Sequence, residues 1–172
     1  KQIIDSTEFI SDAIDKLKLP KEIETYNNLS RALSYLSDAK YTPKTPSYNH
    51  PINWKIFKQY GDSVQAAIKT DRGVIRVKMF TNEAPSSVAN FLTLSDNDFY
   101  DGKTIHRVVP NFVIQGGCPR GDGYGGLDYT IRTEVPQRYY EEAGYIGMAS
   151  AGLHTECTQW FITHSPAMHL SG

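Results

Sequence analysis

The stretch Thr104-Ile-His-Arg-Val-Val-Pro-Asn-Phe-Val-Ile-Gln-Gly-Gly117 sets two short apolar runs, 104–109 and 112–116, on either side of Pro110-Asn111. A β-branched run, a Pro-Asn break and a second β-branched run ending in glycines predict two strands joined by a tight turn. Arg107 stands inside the first run. A guanidinium among apolar neighbours is costly unless a partner or the water of a groove receives it. From pattern alone, a groove arginine and a surface arginine on an edge strand are equally good readings.

Outward from this stretch the same texture continues. Val64–Lys69 and Val74–Phe80 read as strands, and the intervening Thr70-Asp-Arg-Gly73 has glycine where a hairpin turn needs it. Ala84-Pro85 opens a helix, with proline in the first turn where its missing N–H costs nothing. Val88, Phe91, Leu92 and Leu94 are its buried face. Further strand-like runs fall at 128–132 and 159–163. Short strands, glycine-rich turns and few helices predict a mainly β fold, an antiparallel barrel or sandwich, over residues 62–172.

Residues 1–40 differ. Phe9, Ile10, Ala13, Ile14 and Leu17 form one helical stripe with Ser6 or Thr7 as N-cap; Tyr26, Leu29, Ala32, Leu33 and Leu36 form a second after Pro20. The pair predicts a helical hairpin, either an extension docked on the main domain or the last unit of a helical-repeat array. Tyr41–Pro51 holds three of the chain's nine prolines, and residues 41–61 are expected to be an extended linker.

Composition narrows the function. Eighteen Lys and Arg against nineteen Asp and Glu leave a net charge of -1, which argues against nucleic-acid binding. No apolar run reaches the ~18 residues a membrane span needs. The chain begins at Lys1 with neither methionine nor an apolar signal region, so an upstream segment is expected to have been removed; the compartment stays open between cytoplasm and bacterial envelope. Cys118 and Cys157 either form one bridge or are two inert thiols, and neither has a second ligand at zinc spacing. The five histidines, at 50, 106, 154, 164 and 169, form no metal motif, and no Walker loop or nucleophile elbow is present. Gly121–Gly126 reads as a flexible surface loop.

Taken in order, Gly73-Val-Ile-Arg-Val, Ala84-Pro-Ser-Ser-Val-Ala-Asn-Phe, Phe99-Tyr-Asp-Gly, His106–Gly117, Gly147-Met-Ala-Ser-Ala-Gly and Thr158-Gln-Trp-Phe-Ile-Thr resemble the cyclophilins, the peptidyl-prolyl cis–trans isomerases. The resemblance covers about 62–172 and implies a cyclophilin-like antiparallel β-barrel with a capping helix, preceded in this chain by the helical hairpin. It stops at Gly172, before the family's final strands and second helix, so the chain is expected to be a piece of a longer protein.

The resemblance also implies a site. Arg107 matches the catalytic arginine, with Gln115 and Phe112 beside it. Phe112, Val113, Phe161 and Leu170 match the apolar pocket for the proline ring. Gln115, Ala149, Ser150 and Gln159 match the floor and the wall that grips the peptide backbone, and Gly121–Gly126 becomes the groove's rim. Val113 replaces a more usual methionine and Ser150 a more usual asparagine. His169 falls where many members carry tryptophan, which argues against tight cyclosporin binding. The implied function is isomerisation of X–Pro bonds in proline-containing polypeptides during protein folding, with no cofactor and no metal. The alternative is a module that grips proline segments without catalysis.

Overall fold

The computed structural model describes residues 7–48, 50–61 and 63–171. β1 (Gln65–Thr70) and β2 (Gly73–Lys78) pair antiparallel from Thr70↔Gly73 to Gln65↔Lys78, around the two-residue turn Asp71-Arg72. The Thr70 hydroxyl holds that turn, accepting from the Arg72 N–H at 3.1 Å and donating to the Gly73 carbonyl at 2.9 Å. A second sheet runs in the order β3 (Arg107–Val109), β4 (Val113–Gly116), β6 (Trp160–Thr163), β5 (Ile146–Met148), antiparallel throughout.

Strand alternation then sorts this sheet into two faces. Ile114, Ile162 and Ile146 lie in one cross-strand row and turn inward, where the core gathers Ile56, Val64, Val77, Met79, Val88, Phe91, Leu92, Trp160 and Ile162. Arg107, Gln115, Phe161 and Gly147 form the neighbouring row and face the other way.

Helix α4 (Pro85–Asp96) closes the core with Val88, Ala89, Phe91, Leu92 and Leu94. Its N-cap residue Ala84 offers no side-chain acceptor. The Glu134 carboxylate takes that part, accepting from the Ser86 and Ser87 N–H groups and the Ser87 hydroxyl, each at 2.8 Å. A carboxylate at the positive end of a helix dipole satisfies donors that would otherwise be orphaned.

Several sequence expectations need correction. The expected barrel is not closed among the described residues. No ladder joins the β1–β2 hairpin to the four-stranded sheet, and an open cavity of about 400 Å³ lies between β2 and the 144–148 segment. The run 128–132 is irregular rather than a strand, although Thr130 and Ile131 are buried and the Ile131 N–H reaches the Glu156 carbonyl at 2.9 Å. Conversely β5 escaped the pattern, being three residues long with glycine at its centre. The 41–61 linker holds helix α3 (Trp54–Tyr60), whose Ile56 is 5% exposed and belongs to the core. Apolar residues at helical spacing outweigh the prolines just before them.

The N-terminal residues hold α1 (Glu8–Asp15) and α2 (Ile23–Leu36) in contact with each other. Thr7 stands at the N-cap without a side-chain hydrogen bond, and Ser6 lies outside the described residues. The α2 stripe is not what is most buried: Ile23 and Asn27 are, while Ala32 and Leu36 are exposed. Asn27 explains its own burial, since its amide accepts from the Lys44 N–H at 2.9 Å and donates to the Lys44 carbonyl at 3.1 Å. The proline-rich segment is therefore strapped down, further on by His50 stacked on Tyr129 at 3.8 Å.

Gly117 ends the stretch with φ +79°, and a Cβ there would stand 2.5 Å from the Thr158 carbonyl oxygen. Gly117→Ala should lower stability by about 2–4 kcal/mol, combining left-handed strain with overpacking, as read by urea unfolding. A loss below about 0.5 kcal/mol would show that the 117 and 158 backbones separate freely.

Candidate active site

Arg107 lies at the start of β3, an edge strand, and its side chain is solvent-exposed. Register decides what the guanidinium can reach. Gln115 is its direct cross-strand partner, and the arginine donates to the Gln115 Oε1 at 3.2 Å. Gln115 in turn donates to the Gln159 Oε1 at 3.0 Å. Buried Gln159 is fixed by donating to the Gly123 and Gly125 carbonyls at 2.9 and 3.2 Å. Each amide uses its oxygen toward the arginine side and its nitrogen away from it, so the chain has one donor direction from end to end. The Gly121–Gly126 loop is thus tied to the site by its backbone carbonyls.

The tight turn through Pro110 and Asn111, the latter at φ +58°, brings Phe112 back beneath the guanidinium. The arginine carbon lies 5.8 Å from the ring centroid. His169 also stacks on that ring, with centroids 5.3 Å apart. An aromatic face and a hydrogen bond therefore hold the guanidinium while leaving donors free for a ligand.

Arg107, Phe112, Val113, Gln115, Ala149, Ser150, Phe161 and Leu170 all line one groove of about 290 Å³. Gln159 and His169 support it from behind, through Gln115 and Phe112 respectively. Val113 and Phe161 are buried at its base. The wall also takes residues the sequence pattern did not single out, Glu156 after the 149–155 loop and Glu24 from α2. Burial raises the Glu156 carboxyl above the ordinary range, partly offset by its hydrogen bonds from the Thr133 hydroxyl. Glu24 is pushed up to about 7 by burial and then by the negative charge of Asp122. No sequence signal could have placed Glu24 in this groove, because its approach depends on how α2 docks.

Cys118 and Cys157 are both free and buried, which removes the bridge reading. Burial pushes the Cys157 thiol up to about 11, the state of an inert thiol. Among the described residues no cluster of three or more His, Cys, Asp or Glu is arranged to hold a metal ion.

Residues 65–172 match the family described as cyclophilin-type peptidyl-prolyl cis–trans isomerase. This chain belongs to that family. It is 49% identical over 108 residues to a peptidyl-prolyl cis–trans isomerase of Synechococcus elongatus, spanning 63% of this chain and 74% of the relative. It is 48% identical over 103 residues to peptidyl-prolyl cis–trans isomerase B of Bacillus subtilis, spanning 59% and 72%. The fold is likewise similar to a crystal structure of a Cryptosporidium parvum cyclophilin-type isomerase, with TM-score 0.61 and 33% identity over 64% of this chain and 72% of that one. The cyclophilin is thus an isomerase of X–Pro peptide bonds, and its fold is that of the family.

Because the folded-state value for Glu24 lies above an ordinary carboxyl, the folded form holds its proton more tightly than the unfolded form. Any stability tied to this group is full below about 4.5 and is lost as pH rises through about 7. Glu24→Gln should therefore raise the melting temperature at pH 8 while the two proteins converge near pH 4.5. Equal differences at both pH values would mean that Glu24 is not shielded by the groove.

Proposed function

We propose that this cyclophilin catalyses X–Pro isomerisation through Arg107, with Phe112, Val113, Phe161 and Leu170 receiving the proline ring. Residues 62–172 are the catalytic unit, and 1–40 are an appended helical hairpin joined to it through 41–61; the family match starting at residue 65 supports this division. A second crystal structure of the Cryptosporidium parvum isomerase, equally similar at TM-score 0.61, was determined in the presence of the dipeptide Ala-Pro, which supports proline-containing peptides as substrates of this chain.

Rotation about an X–Pro bond is slow because it breaks amide resonance, over a barrier of about 18–20 kcal/mol. Acceleration requires only that the twisted amide be held better than either planar isomer. In the planar forms the proline nitrogen lone pair is delocalised and accepts poorly. As the bond twists, that pair localises and becomes an acceptor, and an aimed guanidinium then gains a hydrogen bond absent from both ground states. The chain from Arg107 through Gln115 and Gln159 to the 123 and 125 carbonyls is the observation that carries this reading, since it fixes the donor before the substrate arrives.

The ring pocket works differently. It grips the ring in ground and transition states alike, while the remainder of the peptide turns. Ala149 and Ser150 border the same groove, where exposed backbone grips an extended peptide by strand-like hydrogen bonds. No group has to titrate near neutrality for any of these steps.

Arg107→Ala should lower kcat/KM for a proline tetrapeptide by about 10²–10³, equivalent to about 2.7–4 kcal/mol, with peptide affinity changed only a few fold. Arg107→Lys should not restore the rate, since an ammonium lacks the planar fork. Phe112→Ala should raise KM as well, because it removes ground-state binding. A protease-coupled isomerisation assay reads all three. Wild-type kcat/KM in the alanine variant would leave a proline-binding groove in which the guanidinium takes no part in bond rotation.

A further inference from the structure

One flank of the groove is built by the helical hairpin rather than by the sheet. Pro20 and Lys21, just before α2, and Ile23 and Glu24, in its first turn, sit against Gly125, Gly126, Ala149, Thr155 and Gln159. They fill that depression so fully that about 20 Å³ remains, against about 290 Å³ in the groove beside it. The fit is close: a Cβ on Gly126 would come within 3.1 Å of the Lys21 carbonyl oxygen, and Ile23 is only 4% exposed. The paired hydrogen bonds between Asn27 and Lys44 tie this helix to the proline-rich segment that follows it. Glu24 alone among these hairpin residues borders both the filled depression and the open groove.

Charge pairing around it is uneven. Asp122 is bridged by Arg120 at 2.7 Å and Glu83 by Arg138 at 2.7 Å, while Arg107 donates one hydrogen bond to the neutral Gln115. Glu156 is hydrogen-bonded by Thr133. Among the described residues Glu24 has neither an ion pair nor a hydrogen-bond donor for its side chain. A partly shielded carboxylate without a partner is destabilising until a cation reaches it. The open groove is the route by which one can arrive.

We propose that the first turn of α2 is a wall of the substrate groove and that Glu24 is its specificity-determining residue, selecting peptides with lysine or arginine beside the X–Pro pair. The proposal rests on the groove reading above. Selection of this kind is a difference between two affinities, so it is measured as a ratio and not as a rate.

The test compares two tetrapeptides, identical except for lysine or norleucine immediately before the Ala-Pro pair, with the wild type, Glu24→Gln, Glu24→Asp and Arg107→Ala. Wild type should favour the lysine peptide in kcat/KM by about fivefold, as one charge-assisted contact in a partly shielded site allows. Glu24→Gln should bring the ratio near unity, and Glu24→Asp should keep part of it, which a merely structural role for the side chain would not produce. Arg107→Ala should slow both peptides alike. A ratio equal in wild type and Glu24→Gln, or no lysine preference in wild type, overturns the proposal. If Arg107→Ala leaves both rates unchanged, the groove reading fails instead, whichever way the Glu24 ratio moves.

Discussion

Gln115 lies opposite Arg107 on one side and opposite Phe161 on the other, and the site hangs on that register. Side chains alternate with a period of two, so a slip of one residue between β4 and either neighbour would send Ile114 and Ile162 outward and turn Arg107, Gln115 and Phe161 toward the core. The penalty falls on both faces at once: apolar side chains lose their burial, and a guanidinium enters an apolar interior. Core packing and groove chemistry therefore enforce the same register. That shared constraint lets strands of only three or four residues hold Arg107 over the groove.

Around this sheet, the polar contacts are long in sequence and short in space. Glu134 closes the N-terminus of α4 from 48 residues away, and Gln159 reaches the 123–125 loop across 36 and 34. Buried Asn90 on α4 accepts from the Tyr129 hydroxyl at 2.7 Å and donates to the Cys157 carbonyl, so the irregular 126–132 segment is anchored without strand pairing. Irregular backbone survives at this depth because donors from helix and neighbouring segment satisfy it. The result is a groove whose rim is loop but whose loop is fixed.

The hairpin adds a second level of organisation. Its contact with Gly126 brings the Lys21 backbone close, an approach that a side chain at Gly126 would obstruct. Apolar groups such as Phe9 and Tyr35 stay exposed, at 63% and 86%, while Ile23 is buried against the depression beside the groove and Asn27 against the proline-rich segment. Through Glu24, α2 adds a carboxyl to the groove that Arg107 also lines, and so changes the charge the groove presents.

The family, the two hairpin strands, α4 and the Arg107 stretch could be read directly from residues 64–117 because their signals are local. Glycine at 73 suits a turn, proline at 85 suits a helix start, and the apolar runs on either side of Pro110-Asn111 suit two strands. Several features were not legible. Three-residue β5 is too short for a period to register, and 128–132 looks like a strand because burial, not pairing, selects its apolar residues. Helix α3 hid behind the prolines of its own linker. The Arg107–Gln115–Gln159 chain needs three strand positions and a loop to meet in space, and Glu24 in the groove needs α2 to dock. Sequence by itself determined which residues could be strand, turn or helix and which chemistry they carry, since those preferences are set within a few neighbours. Only the tertiary structure decided which of them share a groove, because burial and register couple residues that the chain keeps far apart.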